Sequence, residues 1–411
     1  MKKIITLASM LLYFVLPALG EVASVHKADG KYYQVFSGVS REHAQETASK
    51  MDAFFELFNS YFHFDEDTLE FKLKVRVFAN KDFYDDYLKS IIGEKKEDFV
   101  YLQYSDPKRS ELVGFVKEDD AGFNASLIRN GFIQFLKSFI PNPPLWIQSG
   151  FAIYFGNTIY DSKHEVAVYQ KNLSWLDTLK SAIKEETLYE ESKSNHSLIP
   201  LAEFLNPGKD TLASQMDIFY AQSWGVVMFL LNSENKNYNR IIWDSISALE
   251  PEATSEENQK AVFKKAFRWA NEYLLYSDFL TYISSLKTFP ELLKTGIELY
   301  SKGELEEAEE EFIQAILLNG NNYLPYYYLG LINYSKKQYS LAEYYYESAR
   351  QLGADEALIS YALGVNAFSA DRLEDAREYL SKARETDPAK YEDRADKLLS
   401  RIDAMIPAKK E

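Results

Sequence analysis

The sequence predicts two folded parts in series: an α+β N-terminal domain made of a small sheet plus helices, then an all-α solenoid of paired helices. Three observations carry this. From Phe71 to Phe78 apolar and charged residues alternate, the period of two that suits a strand with one buried face. Leu127, Ile128, Phe132, Phe135, Leu136 and Phe139 return at spacings of three and four, as on one face of a helix. Near the C-terminus, Gly296, Gly330 and Gly364 stand 34 residues apart, as do Ala308, Ala342 and Ala376, and Ala315, Ala349 and Ala383.

Length and composition set the bounds. A chain of 411 residues, 46% apolar and 15% aromatic, is too long for one ordinary core and has ample material for two. Its net charge of −16 lacks the basic excess that a phosphate backbone demands, so nucleic acid is not the expected partner. The absence of cysteine excludes disulfides, thiolate nucleophiles, zinc fingers and iron–sulfur clusters. No cofactor is expected.

Lys2 and Lys3 precede an apolar run from Ile4 to Leu19, and Ala18 and Gly20 supply the small residues of a cleavage site. Residues 1–20 are therefore expected to form a cleavable signal peptide, since a membrane span needs about 20 apolar residues. The expected destination is the periplasm or the exterior, with no stable membrane insertion after cleavage and no cysteine to carry a lipid.

The N-terminal domain, residues 21–286, opens with a strand at Tyr32–Phe36 and an amphipathic helix over about Ser40–Tyr61. The alternating stretch at 71–78 predicts a strand in a sheet with one solvated face, and Glu111–Val116 a further strand. The remainder reads as helical from Asn124 onward. Gly131 inside a helix costs about 0.5–1 kcal/mol relative to alanine, which calls for close packing there or an open cleft.

Within each 34-residue period a bulky column (Phe312, Tyr346, Leu380) lies between the two alanine columns, and Leu305, Tyr339 and Leu373 begin the second helix. This pattern resembles the tetratricopeptide repeat: small residues let paired helices approach, and the large residue fills the gap. Three units are expected at about 289–322, 323–356 and 357–390, with Pro325 in a first turn and Pro388 ending the third. Residues 390–411 form a capping helix and tail, with Leu398, Leu399, Ile402 and Met405 as the buried stripe.

A second resemblance lies at Trp146-Ile147-Gln148-Ser149-Gly150-Phe151-Ala152-Ile153-Tyr154 and at Tyr220-Ala221-Gln222-Ser223-Trp224. Both segments are similar to motifs of peptidase MA-like, gluzincin-type domains, and the resemblance covers most of residues 30–286. It implies an HExxH helix with two His ligands and a Glu base, followed by a third, Glu ligand. Aligned from Trp146, the HExxH positions hold Asn130, Gly131, Phe132, Ile133 and Gln134, and the third ligand position holds Ser149. No histidine lies between His63 and His164, so a shifted alignment restores nothing. His164-Glu165, with Val168 where a second His would stand, reads as a solvated pair, and His26, His43 and His196 as isolated surface or capping residues. The expected domain is thus a pseudo-peptidase holding no metal, and an enzyme with substituted ligands or a metal-free site is the alternative.

In the repeat family the first helix of each unit lines the groove that receives a partner. Here that implies three columns: Leu293, Tyr327 and Tyr361; Ile297, Leu331 and Val365; Tyr300, Tyr334 and Phe368. All nine are apolar or aromatic. The Lys and Asn with which some such repeats grip a partner's terminal carboxylate are missing from the first two columns, so the expected partner is a protein or peptide presenting apolar anchors.

Overall fold

A computed structural model describes residues 25–188 and 197–405. The leader, His196, Ile406 and the C-terminal tail lie outside the described residues. The chain divides into two compact units between Phe279 and Leu280. That point falls within a helix, seven residues before the boundary expected at 286.

In the first unit, β1 (His26–Asp29), β2 (Tyr33–Ser37), β3 (Leu73–Phe78), β4 (Val100–Leu102) and β5 (Glu111–Phe115) form one sheet in the order β1-β2-β3-β5-β4. The three central strands are parallel, and the edges β1 and β4 pair antiparallel. Val35, Val75 and Leu112 stand in register across the middle, each almost wholly buried. The opposite face corrects the expectation of a solvated surface. Helix α2 (Lys81–Ile92), capped by Asn80, packs on β3 and β5. Arg76 donates to Glu111 at 3.1 Å and lies over the rings of Phe36 and Tyr87, while the Tyr87 hydroxyl donates to the same carboxylate. Of the charged members of the alternation, Arg76 is thus packed among partners, while Lys72 stays exposed.

Helix α1 (Arg41–Phe62) begins where the Ser40 hydroxyl accepts from the His43 amide, and ends at His63 in the left-handed region. It buries Met51, Phe54, Phe55, Phe58 and Phe62. Their rings meet those of α3 (Asp120–Phe139) and α4 (Leu145–Tyr154): Phe55 lies 5.0 Å from Phe135, Phe58 5.3 Å from Phe132, and Phe62 4.8 Å from Phe151. This edge-to-face cluster is the core on which the sequence's phenylalanines are spent.

Beyond α4 comes a short hairpin absent from the sequence reading, β6 (Ile159–Asp161) and β7 (Val166–Val168). Helices α5 (Leu176–Leu188), α6 (Leu201–Leu205), α7 (Lys209–Asn232), α8 (Lys236–Ile246), α9 (Ser255–Val262) and α10 (Glu272–Ser285) follow, with a π turn at Phe263–Phe267.

The second unit is a helical repeat region resembling the tetratricopeptide type. Its pairs are α11 (Phe289–Lys302) with α12 (Leu305–Leu318), α13 (Tyr323–Ser335) with α14 (Tyr339–Gln351), and α15 (Glu356–Ser369) with α16 (Leu373–Thr386). The glycine column does what its spacing suggested. A Cβ added at Gly296 would lie 2.9 Å from the Phe312 ring, one at Gly364 2.7 Å from Leu380, and one at Gly330 inside contact distance of the Tyr346 ring. All six column alanines are wholly buried.

The turn within each pair also repeats. Gly303, Lys337 and Asp371, again 34 apart, take φ of 82°, 61° and 60°. In each, the next amide reaches back to close the helix: Glu304 to Leu299, Gln338 to Asn333 and Arg372 to Ala367, at 2.8–3.1 Å. Helix α17 (Pro388–Met405) covers the end of the array. Its buried stripe is Tyr391, Ala395, Leu399 and Ile402, while Leu398 is half-buried and Met405 exposed. The stripe keeps Leu399 and Ile402 and extends toward the helix start, where Tyr391 stacks on Tyr361 at 5.0 Å.

Candidate functional site

The nine first-helix residues of the repeats share one condition: each is half-buried, neither core nor open surface. Leu293, Ile297 and Tyr300 on α11 lean on the cluster of Ala308, Phe312, Leu329 and Ile332. Tyr327, Leu331 and Tyr334 on α13 lean on that of Ala342, Tyr346 and Leu363, and Tyr361 and Phe368 on α15 pack on that of Ala376, Leu380 and Ile402. Val365 completes the middle column. One side of the strip is therefore held by the repeat core, and the other is accessible. Tyr334 is fixed across the repeat boundary, its hydroxyl 3.1 Å from Ser369 Oγ. Burial pushes the Tyr327 phenol up to about 12, so it stays a neutral donor at any physiological pH.

The four peptidase-motif positions lie on α3 and α4. Asn130 on α3 turns back on its own helix, donating to the Ser126 carbonyl at 3.0 Å. Gly131 meets α1, where an added Cβ would lie 2.9 Å from Met51 Cε, so close packing accounts for this glycine. Gln134, 1% exposed, donates through Nε2 to the Lys74 carbonyl of β3 at 2.8 Å. Ser149 is buried on α4 beside Gly150, whose Cβ would lie 2.5 Å from the Ser223 carbonyl oxygen of α7. Gln134 borders a cleft whose lining includes neither Asn130, Gly131 nor Ser149. Among the described residues no three His, Asp or Glu side chains group as metal ligands.

The second motif has a structural task. Gln222 on α7 accepts from the Ile199 amide at 2.9 Å and donates to the Ile199 carbonyl at 2.8 Å, clasping the segment before α6 from both sides. His164 lies in the β6–β7 turn, bound to Asp161 at 2.6 Å and largely exposed. His43, expected as a surface or capping residue, sits in the first turn of α1, its amide held by the Ser40 hydroxyl. It is half-buried, 3.0 Å from Ser37 Oγ and edge-on to Phe123, and burial lowers its pKa.

No described helix is long and apolar enough to cross a membrane. No family model and no curated protein matches the chain. Among solved structures, the first TPR of Spaghetti (RPAP3), bound to the HSP90 peptide SRMEEVD, is 19% identical, with 28% of this chain and 91% of that one covered at a TM-score of 0.27. The Yersinia enterocolitica type III secretion translocator chaperone SycD, in its alternative dimer, is 22% identical, covering 29% and 96% at 0.28. A type III secretion complex from Aeromonas hydrophila is 21% identical, covering 32% and 90% at 0.25.

Proposed function

We propose that this chain is an exported, non-catalytic adaptor that holds a protein or peptide partner on the first-helix strip of its repeats. The observation that carries this reading is the half-open state of all nine strip residues, in three columns of constant 34-residue spacing. Apolar and aromatic side chains braced from behind and edged by tyrosine hydroxyls suit an amphipathic helix or extended peptide that presents apolar anchors. The first unit is read as a peptidase-like domain without its metal on the resemblance of its Trp146–Tyr154 and Tyr220–Trp224 segments to that family's motifs, with Asn130, Gly131, Gln134 and Ser149 at the positions where ligands and base would stand. Export rests on the leader at residues 1–20.

The test is selection of 20-residue peptides, displayed on phage, against the full chain. Leu331→Arg and Val365→Arg are expected to weaken selected peptides tenfold or more, about 1.4 kcal/mol. Tyr344→Arg, at a largely exposed position on α14, should leave them bound. Peptides indifferent to both strip variants, with the variants still folded by circular dichroism, would refute the groove.

A further inference from the structure

Of the chain's five tryptophans two are open to solvent, Trp243 at 41% and Trp269 at 43%. Trp146 and Trp224 are fully buried and Trp175 is half-buried. Two contacts bring the open pair to one face of the first unit. The Arg240 guanidinium lies 5.2 Å from the Trp269 ring, and Lys265 Nζ donates to the Ser247 carbonyl at 2.9 Å, so α8 and the segment through the π turn run side by side in opposite directions. Trp243 stands between Arg240 and Ser247 on the same stripe of α8, three residues after the one and four before the other. It therefore stands beside the row of Lys265 and Trp269, whose Nε1 donates to the Lys265 carbonyl at 3.2 Å.

This face is cationic in a chain of net charge −16. From Lys236 to Ile246 and from Phe263 to Trp269 stand Lys236, Arg240, Lys264, Lys265 and Arg268, all exposed, against a single carboxylate, Asp244, which Arg240 already holds at 3.0 Å. Lys264 and Arg268 are four apart, as are Lys265 and Trp269, so these four make one continuous side of their turn. Indoles beside long cationic stems are what a bilayer interface accommodates: the rings settle at headgroup depth and the charged heads reach the phosphates. Arg240, held over the Trp269 ring, brings its charge to the ring's own depth.

We propose that this face docks the first unit on an anionic lipid surface, with Trp243 and Trp269 seated among the headgroups and Arg240, Lys264, Lys265 and Arg268 against their phosphates. Clustered cations of this kind are drawn to a negatively charged leaflet. Protein interfaces deplete lysine around their aromatic anchors, whereas three lysines flank these indoles, which favours lipid over an acidic protein. The contact is peripheral, since no described helix is long and apolar enough to cross a bilayer. The face lies wholly in the first unit and stands or falls without the repeat strip.

The test is sedimentation with vesicles of phosphatidylcholine alone and of equimolar phosphatidylcholine and phosphatidylglycerol. The chain is taken without residues 1–20, whose apolar run would enter lipid by itself; both described units are intact in it. At about 0.1 M salt it is expected to bind the mixed vesicles at least about tenfold more strongly than phosphatidylcholine, with its tryptophan emission shifted to the blue. Trp243→Ala with Trp269→Ala, and Lys264→Glu with Arg268→Glu, should each weaken that binding about tenfold or more. Lys89→Glu with Lys163→Glu, at exposed positions outside the face, changes the net charge equally and should leave it within about twofold. Equal binding to both lipids, binding to neither, binding that survives in both folded face variants, or an equal loss in the Lys89 and Lys163 variant overturns the proposal. Polyglutamate bound as tightly as the mixed vesicles at matched charge overturns it too, and assigns the face to an acidic protein. The lipid comparison needs no variant, so it decides even if a variant does not fold.

Discussion

The ring of Tyr346 fills the space that any side chain at Gly330 would need. The two are partners across α13 and α14, and the ring is 1% exposed, so it has nowhere to retreat. Gly330→Ala gains about 1 kcal/mol of helix propensity but overpacks this contact at about 1–3 kcal/mol. A net loss of stability of about 1 kcal/mol is expected in urea denaturation. Tyr346→Leu in the same chain should recover part of it, as a double-mutant cycle would register.

The left-handed residues of the repeat turns make opposite demands. Lys337 carries a side chain where Gly303 carries none, and a non-glycine residue in that region costs about 1 kcal/mol. Lys337→Gly is expected to stabilise the second unit by about that amount, and Gly303→Ala to destabilise it similarly. No atom lies within 4 Å of a Cβ placed at Gly303, so the effect is one of backbone alone. Equilibrium denaturation followed by helical circular dichroism measures both.

Gln222 satisfies both polar groups of Ile199 in a buried setting. Gln222→Met keeps the volume but strands an amide and a carbonyl, each at about 1–3 kcal/mol. A loss of roughly 2–4 kcal/mol is expected in the first unit, read by tryptophan fluorescence during urea unfolding. Trp224 on the same helix is the reporter.

His43 supplies the pH dependence. Its folded pKa lies below the ordinary 6.5 because burial disfavours the imidazolium. Below 6.5 the unfolded chain therefore binds the proton more readily, and stability falls as pH drops from 7 through that range toward the folded pKa. His43→Asn, which keeps a polar partner for Ser37, is expected to flatten the stability curve between about pH 7 and 5.5. An unchanged slope would place the titration elsewhere.

The repeat array was legible because a helix pair of fixed length turns close contacts into columns: wherever Gly296, Gly330 or Gly364 stands, a bulky residue answers 16 positions later. The central strands and α1 were legible for a similar reason, each having one face buried. What escaped notice lacked such contrast. The hairpin β6–β7 leaves Ile159, Val166 and Val168 exposed, so no alternation of burial marks it. Helix α2 covers the sheet with Tyr84 and Tyr87 amid charged neighbours, and its partners on the sheet are Arg76 and Glu111, which read as solvent-facing in sequence. The cleft bordered by Gln134 draws its walls from residues 71 to 142, and no local pattern could assemble them.

The three matched turns at Gly303, Lys337 and Asp371 bear on how such an array can change length. Each turn is closed by the same backbone hydrogen bond whatever residue occupies it, so cuts placed there meet identical ends. The segment 304–337 is thus a cassette whose termini fit both each other and the sites they leave. An in-frame tandem duplication of it adds one helix hairpin with its Gly330 and splices onto Gln338, ahead of the Tyr346 that Gly330 accommodates. The number of units is therefore open to growth by copying, without any new junction having to be invented.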